Sequence, residues 1–274
     1  MNSMEFDYIA GLLKQRSGLD LTKDKTYLIE SRLGPIARKH DMEDISALVL
    51  ALKMRPTEDL LCEVTDAMTT NESFFFRDKT PFDLFKDIML PSLLRSRAGS
   101  RRIRIWCAAC STGQEPYSLA ICVREAAQLL KDWRVEIVAT DISGEVLEKA
   151  KVGVYSQFEV QRGLPIKHLV KYFKKAGEMW QIDASIRAMI SYRELNLLLD
   201  FKSLGAFDVI FCRNVLIYFE QNLKTQILNR ISQMMPNDGY LFLGGTETVI
   251  GLETKFGPMA GERGIYTLSG ETAH

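Results

Sequence analysis

The chain has 274 residues, with 35 basic and 35 acidic side chains and therefore no formal net charge at pH 7. This length suits one large α/β domain together with a smaller one. Balanced charge gives no support for a general nucleic-acid or membrane-surface binder, since such proteins normally carry a basic excess. No apolar run approaches the roughly 20 residues that span a bilayer, and the N-terminus lacks the basic start and apolar segment of a secretory signal.

The five cysteines predict reduced thiols and not a disulfide framework. Their number is odd, and four of them lie in apolar segments: Cys62, Cys107, Cys122 and Cys212. Cys107 and Cys110 also form a C-x-x-C pair, which leaves a redox or metal site as an alternative. No second cysteine pair or nearby histidine completes such a site, so we expect no metal.

The first 70 residues are predicted to form helices only, with Gly18 ending the first of them. The second helix is expected to break or bend near Gly34-Pro35. It carries five cations against two acidic residues, and the cations are Lys23, Lys25, Arg32, Arg38 and Lys39. Two interpretations of this face stay open: a solvated helix surface, or a docking face for an acidic partner.

Residues 71–82 are predicted to form a linker that lies over the cofactor cleft, between the helices and an α/β domain at 83–274. Three consecutive phenylalanines in the linker are expected to fill the hydrophobic core of the hinge. The polar residues Asn71, Ser73 and Arg77 are interleaved with them and are harder to explain by packing. Polar side chains beside aromatic ones at a domain junction are candidates for a binding site.

Residues 102–120, RIRIWCAACSTGQEPYSLA, combine a short apolar strand, a small-residue turn and a helix start at Pro116. Strand, glycine turn and helix N-terminus form the nucleotide-facing corner of a Rossmann-like fold. The turn lacks the GxGxxG spacing that a pyrophosphate requires, and Glu115 would repel a phosphate at the helix start. A cofactor that carries a cation and no phosphate fits better, and S-adenosylmethionine is the candidate.

Further polar residues follow the other predicted strands. Asp141 ends a strand at 135–140, where it suits hydrogen bonds to both ribose hydroxyls. The alternative role for Asp141 is a helix N-cap, but Ser143 is predicted to serve that function. Asn196 ends a third strand, and Arg213-Asn214 follows a fourth at 207–212. Because ligands bind at the carboxyl ends of parallel strands, these side chains are expected to share one cleft.

A segment at about 154–190 interrupts the alternation of strands and helices and is expected to contain a small antiparallel hairpin. Insertions at the rim of such sheets commonly contact partners or substrates. His168 lies within it and is predicted to be a surface helix residue. After this segment the α/β pattern resumes, with a fifth strand at 240–243 and a terminal strand at 264–268.

Four segments together resemble the CheR-type chemotaxis receptor methyltransferases. They are NESFFFR at 71–77, STGQEPYS at 111–118, ATDI at 139–142 and FCRNVLIYF at 211–219. The resemblance covers nearly the whole chain. It implies a Rossmann-like S-adenosylmethionine-dependent methyltransferase sheet with an all-helical N-terminal domain at 1–70 and an inserted antiparallel β-subdomain.

Members of this family methylate glutamate side chains on the cytoplasmic helices of chemoreceptors, giving glutamyl methyl esters and S-adenosylhomocysteine. By resemblance, the linker contacts would come from Asn71, Ser73 and Arg77. The remaining cofactor contacts would be Glu115 at the amino or sulfonium end, Asp141 at the ribose, Asn196 and Leu197 at the adenine, and Arg213 and Asn214 at the methionine side. Ser73 and Gln114 stand where relatives often have Thr and Glu.

A glutamate carboxylate is already ionised at neutral pH, so methyl transfer to it needs placement and no strong general base. Arg77 is therefore predicted to orient the substrate carboxylate as well as, or instead of, touching the cofactor. Tyr218 is predicted to shape the methyl-transfer slot through its hydroxyl, with a core aromatic as the alternative.

The resemblance also implies a cytoplasmic protein that is recruited to membrane receptor arrays, and nothing in the sequence demands more than a monomer. Chemoreceptors would be its partners, and the β-subdomain could bind a peptide at the receptor C-terminus. Two alternatives stay open: a methyltransferase of the same fold with another protein or a small molecule as substrate, and a non-catalytic receptor-binding adaptor. A nicotinamide dehydrogenase is disfavoured, because the phosphate-binding glycines are missing.

Overall fold

The computed structural model describes residues 1–269, so residues 270–274 of the predicted α/β domain lie outside the described part. The chain begins with four helices: α1 Ser3–Ser17, α2 Thr26–Lys39, α3 Ile45–Met54 and α4 Glu58–Met68. Asn2, Asp44 and Thr57 cap three of them by accepting backbone N–H groups. Of the two outcomes predicted near Gly34-Pro35, the interruption of α2 was wrong, because the helix continues through Pro35.

These helices enclose a hydrophobic core of their own, which includes Ile9, Leu13, Ile29, Leu33 and Val64. The rest of the chain is a mixed α/β structure. Its elements in chain order are α5 Thr80–Leu84, α6 Leu90–Ser96, β1 Arg102–Ala108, α7 Gln114–Glu125, β2 Arg134–Asp141, α8 Gly144–Val152, β3 Val154–Ser156, α9 Gln157–Gln161, α10 Ile166–Tyr172, β4 Phe173–Ala176, β5 Met179–Ile182, α11 Ala184–Arg187, β6 Ile190–Glu194, β7 Val209–Cys212, α12 Gln221–Ser232, β8 Tyr240–Phe242, β9 Phe256–Pro258 and β10 Ile265–Leu268.

The central sheet has the strand order β6-β2-β1-β7-β8-β10-β9. The first five of these strands are parallel, whereas β10 and β9 join antiparallel at one edge. Strand order reverses between β1 and β7, and the crevice above that point is where open α/β sheets bind ligands. The fold-class prediction is confirmed, although β9 was not anticipated from the sequence.

Alternating side chains of β1 serve the two faces of the central sheet. Ile105 and Cys107 are buried with Phe211 and Phe242 on one face. Trp106 is buried on the other face, where its ring packs against Phe207 with 5.7 Å between ring centroids. This period of two is the geometry of a strand covered on both sides, which fixes its register and the position of the turn that follows.

The inserted segment forms a separate antiparallel sheet with the order β3-β5-β4. The predicted hairpin corresponds to β4 and β5, and the short strand β3 adds the third member. The insertion packs against the linker through its buried aromatic residues Tyr155 and Phe173. Within residues 1–269, no helix combines the length and apolar character needed to cross a membrane.

Candidate cofactor and active site

The structure brings all ten predicted site residues to one cleft above the β1 and β7 ends of the sheet. They are Asn71, Ser73, Arg77, Glu115, Asp141, Asn196, Leu197, Arg213, Asn214 and Tyr218. These residues come from the linker, from the turn after β1 and from the ends of three other strand segments. Their convergence results from parallel strands presenting their carboxyl ends at the same edge of the sheet.

The turn between β1 and α7 is held in a conformation that glycine makes possible. Gly113 has φ +95°, and an added Cβ would lie 2.9 Å from the Cβ of Ala150 and 3.0 Å from the Tyr192 hydroxyl. Ser111 also has a positive φ, of 51°. The tight turn places the start of α7 against Ala150 of α8, and Ser111 lines the cleft.

Asp141, at the end of β2, accepts two backbone hydrogen bonds that orient its carboxylate. Its Oδ2 accepts from Ser111 N at 2.8 Å, and its Oδ1 accepts from Ser143 N at 3.1 Å. Burial raises the pKa of this carboxyl, and the backbone N–H groups oppose that shift. Ser143 occupies the N-cap position of α8, as predicted, but its hydroxyl does not cap the helix and instead donates to Asp66 of α4.

Glu115 and Arg213 form a largely buried ion pair in the wall of the cleft. Arg213 Nη1 donates to Glu115 Oε2 at 2.8 Å, while Nη2 donates to Asp78 at 2.6 Å and to the Arg77 carbonyl at 3.1 Å. Burial raises the pKa of Glu115, and the charge of Arg213 counteracts it. Arg213 therefore ties β7, the start of α7 and the linker together, so that its role is structural as well as predicted cofactor contact.

In the linker, polar residues line the cleft and an aromatic residue is buried, as predicted. The carbonyl of Asn71 accepts from the Ser111 hydroxyl at 2.8 Å, which joins the linker to the glycine turn. Phe75 is fully buried, with its ring centroid 5.0 Å from that of Tyr155. The aromatic side chains thus anchor the linker to the inserted segment, while Asn71, Ser73 and Arg77 line the cleft.

Asn196 joins the cleft wall to the N-terminal helices. Its Nδ2 donates to the Arg16 carbonyl at 2.6 Å, and its Oδ1 accepts from Leu198 N at 2.9 Å. Both ends of the amide are therefore engaged by the protein. Leu197, its neighbour, is buried and lines the same part of the cleft.

The turn after α1 completes the cleft, and sequence reasoning missed it. Ser17 and Leu19 line the cleft, and the backbone N–H of Asp20 donates to the Tyr218 carbonyl at 3.1 Å. Gly18 has φ +77°, and an added Cβ would lie 2.8 Å from a methyl group of Leu223. The only signal in the sequence was a glycine at a helix end, which is common and does not identify a domain contact.

Glu247 is the second residue that the sequence did not identify. Its buried carboxylate accepts four backbone hydrogen bonds, from Asn214 at 2.6 Å, Val215 at 3.0 Å, Ile217 at 3.3 Å and Gly244 at 2.6 Å. It thereby holds the turn after β7 in the conformation that presents Asn214 and Tyr218. Asn214 itself has φ +57°, a conformation that asparagine tolerates better than most residues.

The predicted exposure of His168 was wrong. The side chain is buried, and its ring stacks on Phe76 of the linker with 5.5 Å between centroids. Burial lowers the pKa of this imidazole. Helical spacing alone placed His168 on a surface, because the linker segment that covers it is distant in sequence.

The cleft residues fit S-adenosylmethionine by their chemistry. Carboxylates at the ends of β2 and at the start of α7 suit hydroxyl groups and a cation, whereas a pyrophosphate would be repelled. The Nε of Arg213 is buried and has no hydrogen-bond partner within residues 1–269. Fold and site together are those of a methyltransferase that uses S-adenosylmethionine.

Comparison with known proteins identifies the family. Residues 71–265 match the family model described as the CheR methyltransferase SAM binding domain, and residues 4–69 match the CheR methyltransferase all-alpha domain. The chain belongs to the CheR methyltransferase family.

Similar curated proteins cover nearly the whole chain. Chemotaxis protein methyltransferase Cher2 of Pseudomonas putida is 39% identical over 91% of this chain and 92% of its own length. Chemotaxis protein methyltransferase 1 of Pseudomonas aeruginosa is 41% identical over 89% and 90%, respectively. Chemotaxis protein methyltransferase 1 of Vibrio cholerae is 37% identical over 93% of each chain. The motif-based family prediction is therefore confirmed.

Proposed function

We propose that this protein transfers the methyl group of S-adenosylmethionine to glutamate carboxylates on the cytoplasmic helices of chemoreceptors. The products are glutamyl methyl esters and S-adenosylhomocysteine. The observation that carries the proposal is the meeting of Arg77, Tyr218 and the Glu115–Arg213 pair in a single cleft of a CheR-family chain. The names of the relatives, which are chemotaxis protein methyltransferases, support the same substrate class.

The reaction requires placement more than proton transfer. The substrate carboxylate is ionised at neutral pH, so its oxygen attacks directly. When bound, S-adenosylmethionine would supply the electrophilic methyl group: the new O–C bond would form as the S–C bond breaks, and the electron pair of that bond would return to sulfur. The protein contributes in-line alignment of oxygen, carbon and sulfur, together with exclusion of water.

Arg77 is the group that we assign to the substrate carboxylate. Its Nη1 donates to the Glu72 carbonyl at 3.1 Å, and its guanidinium lies 5.3 Å from the centre of the Phe74 ring. These contacts leave other guanidinium N–H groups for an anion, and arginine suits a carboxylate by geometry and charge.

Tyr218 is the second group that we assign to the substrate side. It is half-buried on the cleft wall, where its backbone carbonyl is fixed by Asp20. We assign its hydroxyl to one wall of the methyl-transfer slot, in preference to a purely structural role for the aromatic ring.

We assign receptor docking to two surfaces. The first is the basic surface on and just before α2, where three of the five cations already have partners within the N-terminal helices. Arg32 donates to the carbonyls of Met68 and Thr69, Lys23 lies beside Asp7, and Lys39 pairs with Glu63. Lys25 and Arg38 remain for an acidic partner. The second is β4, an edge strand of the inserted sheet to which an extended receptor peptide could add.

The test is mass spectrometry of purified chemoreceptor cytoplasmic fragments after incubation with the protein and S-adenosylmethionine. We expect methyl groups on glutamate residues of the receptor helices. Tyr218→Phe should remain folded and bind S-adenosylhomocysteine, and it should turn over more slowly, by about tenfold if one hydrogen bond is lost. Binding of cofactor and receptor without methylation would support the adaptor alternative. Methylation of other residue types would contradict the proposed substrate.

A further inference from the structure

The inserted subdomain contacts three successive phenylalanines of the linker, Phe74, Phe75 and Phe76. Phe75 packs edge-on against Phe173 with 5.5 Å between ring centroids, and Phe76 stacks on His168. The backbone approach is equally close, because a Cβ added at Gly163 would overlap the Phe75 carbonyl oxygen. The insertion therefore determines where the linker runs, in addition to any role in receptor binding.

Arg162 lies at the end of this contact, beside the cleft. Its Nη2 donates to the Glu72 carboxylate at 2.5 Å, and its guanidinium lies 4.4 Å from the centre of the Phe74 ring. Arg77 uses the same two residues: it donates to the Glu72 carbonyl and lies over the Phe74 ring. Two arginines, one from the insertion and one from the linker, thus share one aromatic ring and one glutamate.

This sharing matters because Arg77 has few other restraints. Within residues 1–269 its side chain forms no salt bridge with a carboxylate, so the ring of Phe74 and the carbonyl of Glu72 set its orientation. A long side chain costs free energy to immobilise, and a mobile one binds an anion less well. Arg162 contacts the same two residues, through the Glu72 carboxylate and the Phe74 ring. Its exposed ion pair alone would contribute little, but its guanidinium packs against the Phe74 ring and restricts it.

We propose that Arg162 is a positioning residue for Arg77, through which the inserted subdomain sets the geometry of the active site. The role of Arg77 toward the substrate rests on the proposed function. The coupling between Arg162 and Arg77 does not, because Arg77 also lines the cofactor cleft. Arg162 does not line the cleft, and it acts through Glu72 and Phe74.

A double-mutant cycle tests the coupling. Arg162→Ala, Arg77→Ala and the double variant are compared with the unmodified protein for S-adenosylhomocysteine affinity by calorimetry and for kcat and KM of receptor methylation. When Arg77 is present, we expect Arg162→Ala to weaken the affinity for S-adenosylhomocysteine about threefold to tenfold. When Arg77 is already alanine, the same change should weaken it less than about twofold. Arg162→Lys, which keeps the charge but loses the planar stacking group, should fall between.

Lys167→Ala, an exposed cation of the same subdomain, is the matched control and should change neither measurement. Equal losses from Arg162→Ala in both backgrounds would overturn the proposal, because they would show a general structural effect. An unchanged affinity of Arg162→Ala would overturn it as well. The calorimetric cycle requires no receptor, so absence of receptor methylation would refute the proposed function while the positioning role is still decided.

Discussion

Replacing Glu247 by glutamine should destabilise the protein and disorder the turn that carries Asn214. The carboxylate offers enough lone pairs for its four backbone donors, two on each oxygen. A glutamine amide has one oxygen, which accepts from two of them, and its NH₂ group then faces the other two donors. Each buried donor left without a partner costs about 1–3 kcal/mol. With two donors left unpartnered, we therefore expect a loss of about 2–6 kcal/mol.

Such a loss is a large part of the roughly 5–15 kcal/mol that stabilises a typical domain. Urea denaturation measures it as the difference in unfolding free energy between Glu247→Gln and the unmodified protein. Glu253→Gln, at an exposed position nearby, is the control and should change stability by less than about 0.5 kcal/mol. A Glu247→Gln protein that unfolds within that same margin would refute the assigned role of the carboxylate.

Three further predictions follow from individual contacts. Because burial raises the pKa of Glu115, this carboxylate should become protonated at a higher pH than an ordinary carboxyl, and the affinity for S-adenosylmethionine should begin to fall at that higher pH. Calorimetry across pH should show that the affinity of Glu115→Gln depends less on pH. Gly18→Ala should cost about 1–3 kcal/mol in urea denaturation, since it meets positive φ and Leu223, whereas Gly11→Ala, in open space on the same helix, should stabilise by about 0.5–1 kcal/mol. Hydrogen bonds from two arginines lower the pKa of Glu136 to about 2. The ionised carboxylate therefore contributes about 1–2 kcal/mol of stability above the ordinary carboxyl pKa, and this stability should be lost as pH falls from there toward about 2. Urea denaturation across pH should show that Glu136→Gln lacks this acid sensitivity.

The parts of the site that lie within one segment could be predicted from the sequence. Gly113, Glu115 and Asp141 each follow a strand with a clear apolar pattern, and the parallel arrangement brings them to one edge. The linker residues Asn71 and Arg77 were candidates too, because packing does not explain polar side chains among three phenylalanines. Local pattern and strand polarity were sufficient for these positions because the sheet itself supplies the convergence.

The remaining features depend on pairs of segments that are distant in sequence. Gly18 ends a helix in any interpretation, and only the fold shows that it packs against α12 and the segment before it. Glu247 follows a strand like many acidic residues do, and its four donors come mainly from a turn about 30 residues earlier. His168 is buried where Phe76 of the distant linker stacks on its ring. Spacing rules describe the element that carries a residue, whereas these contacts depend on what packs against it.

Methyl transfer from radiolabelled S-adenosylmethionine to purified chemoreceptor cytoplasmic fragments tests the central claim most directly. The labelled receptor is then treated with mild alkali, and volatile methanol is counted. Because a carboxyl methyl ester hydrolyses under these conditions and an N-methyl group does not, we expect the label to be released as methanol. Label that resists alkali, or receptor that stays unlabelled while the protein binds the cofactor, would contradict glutamate methylation.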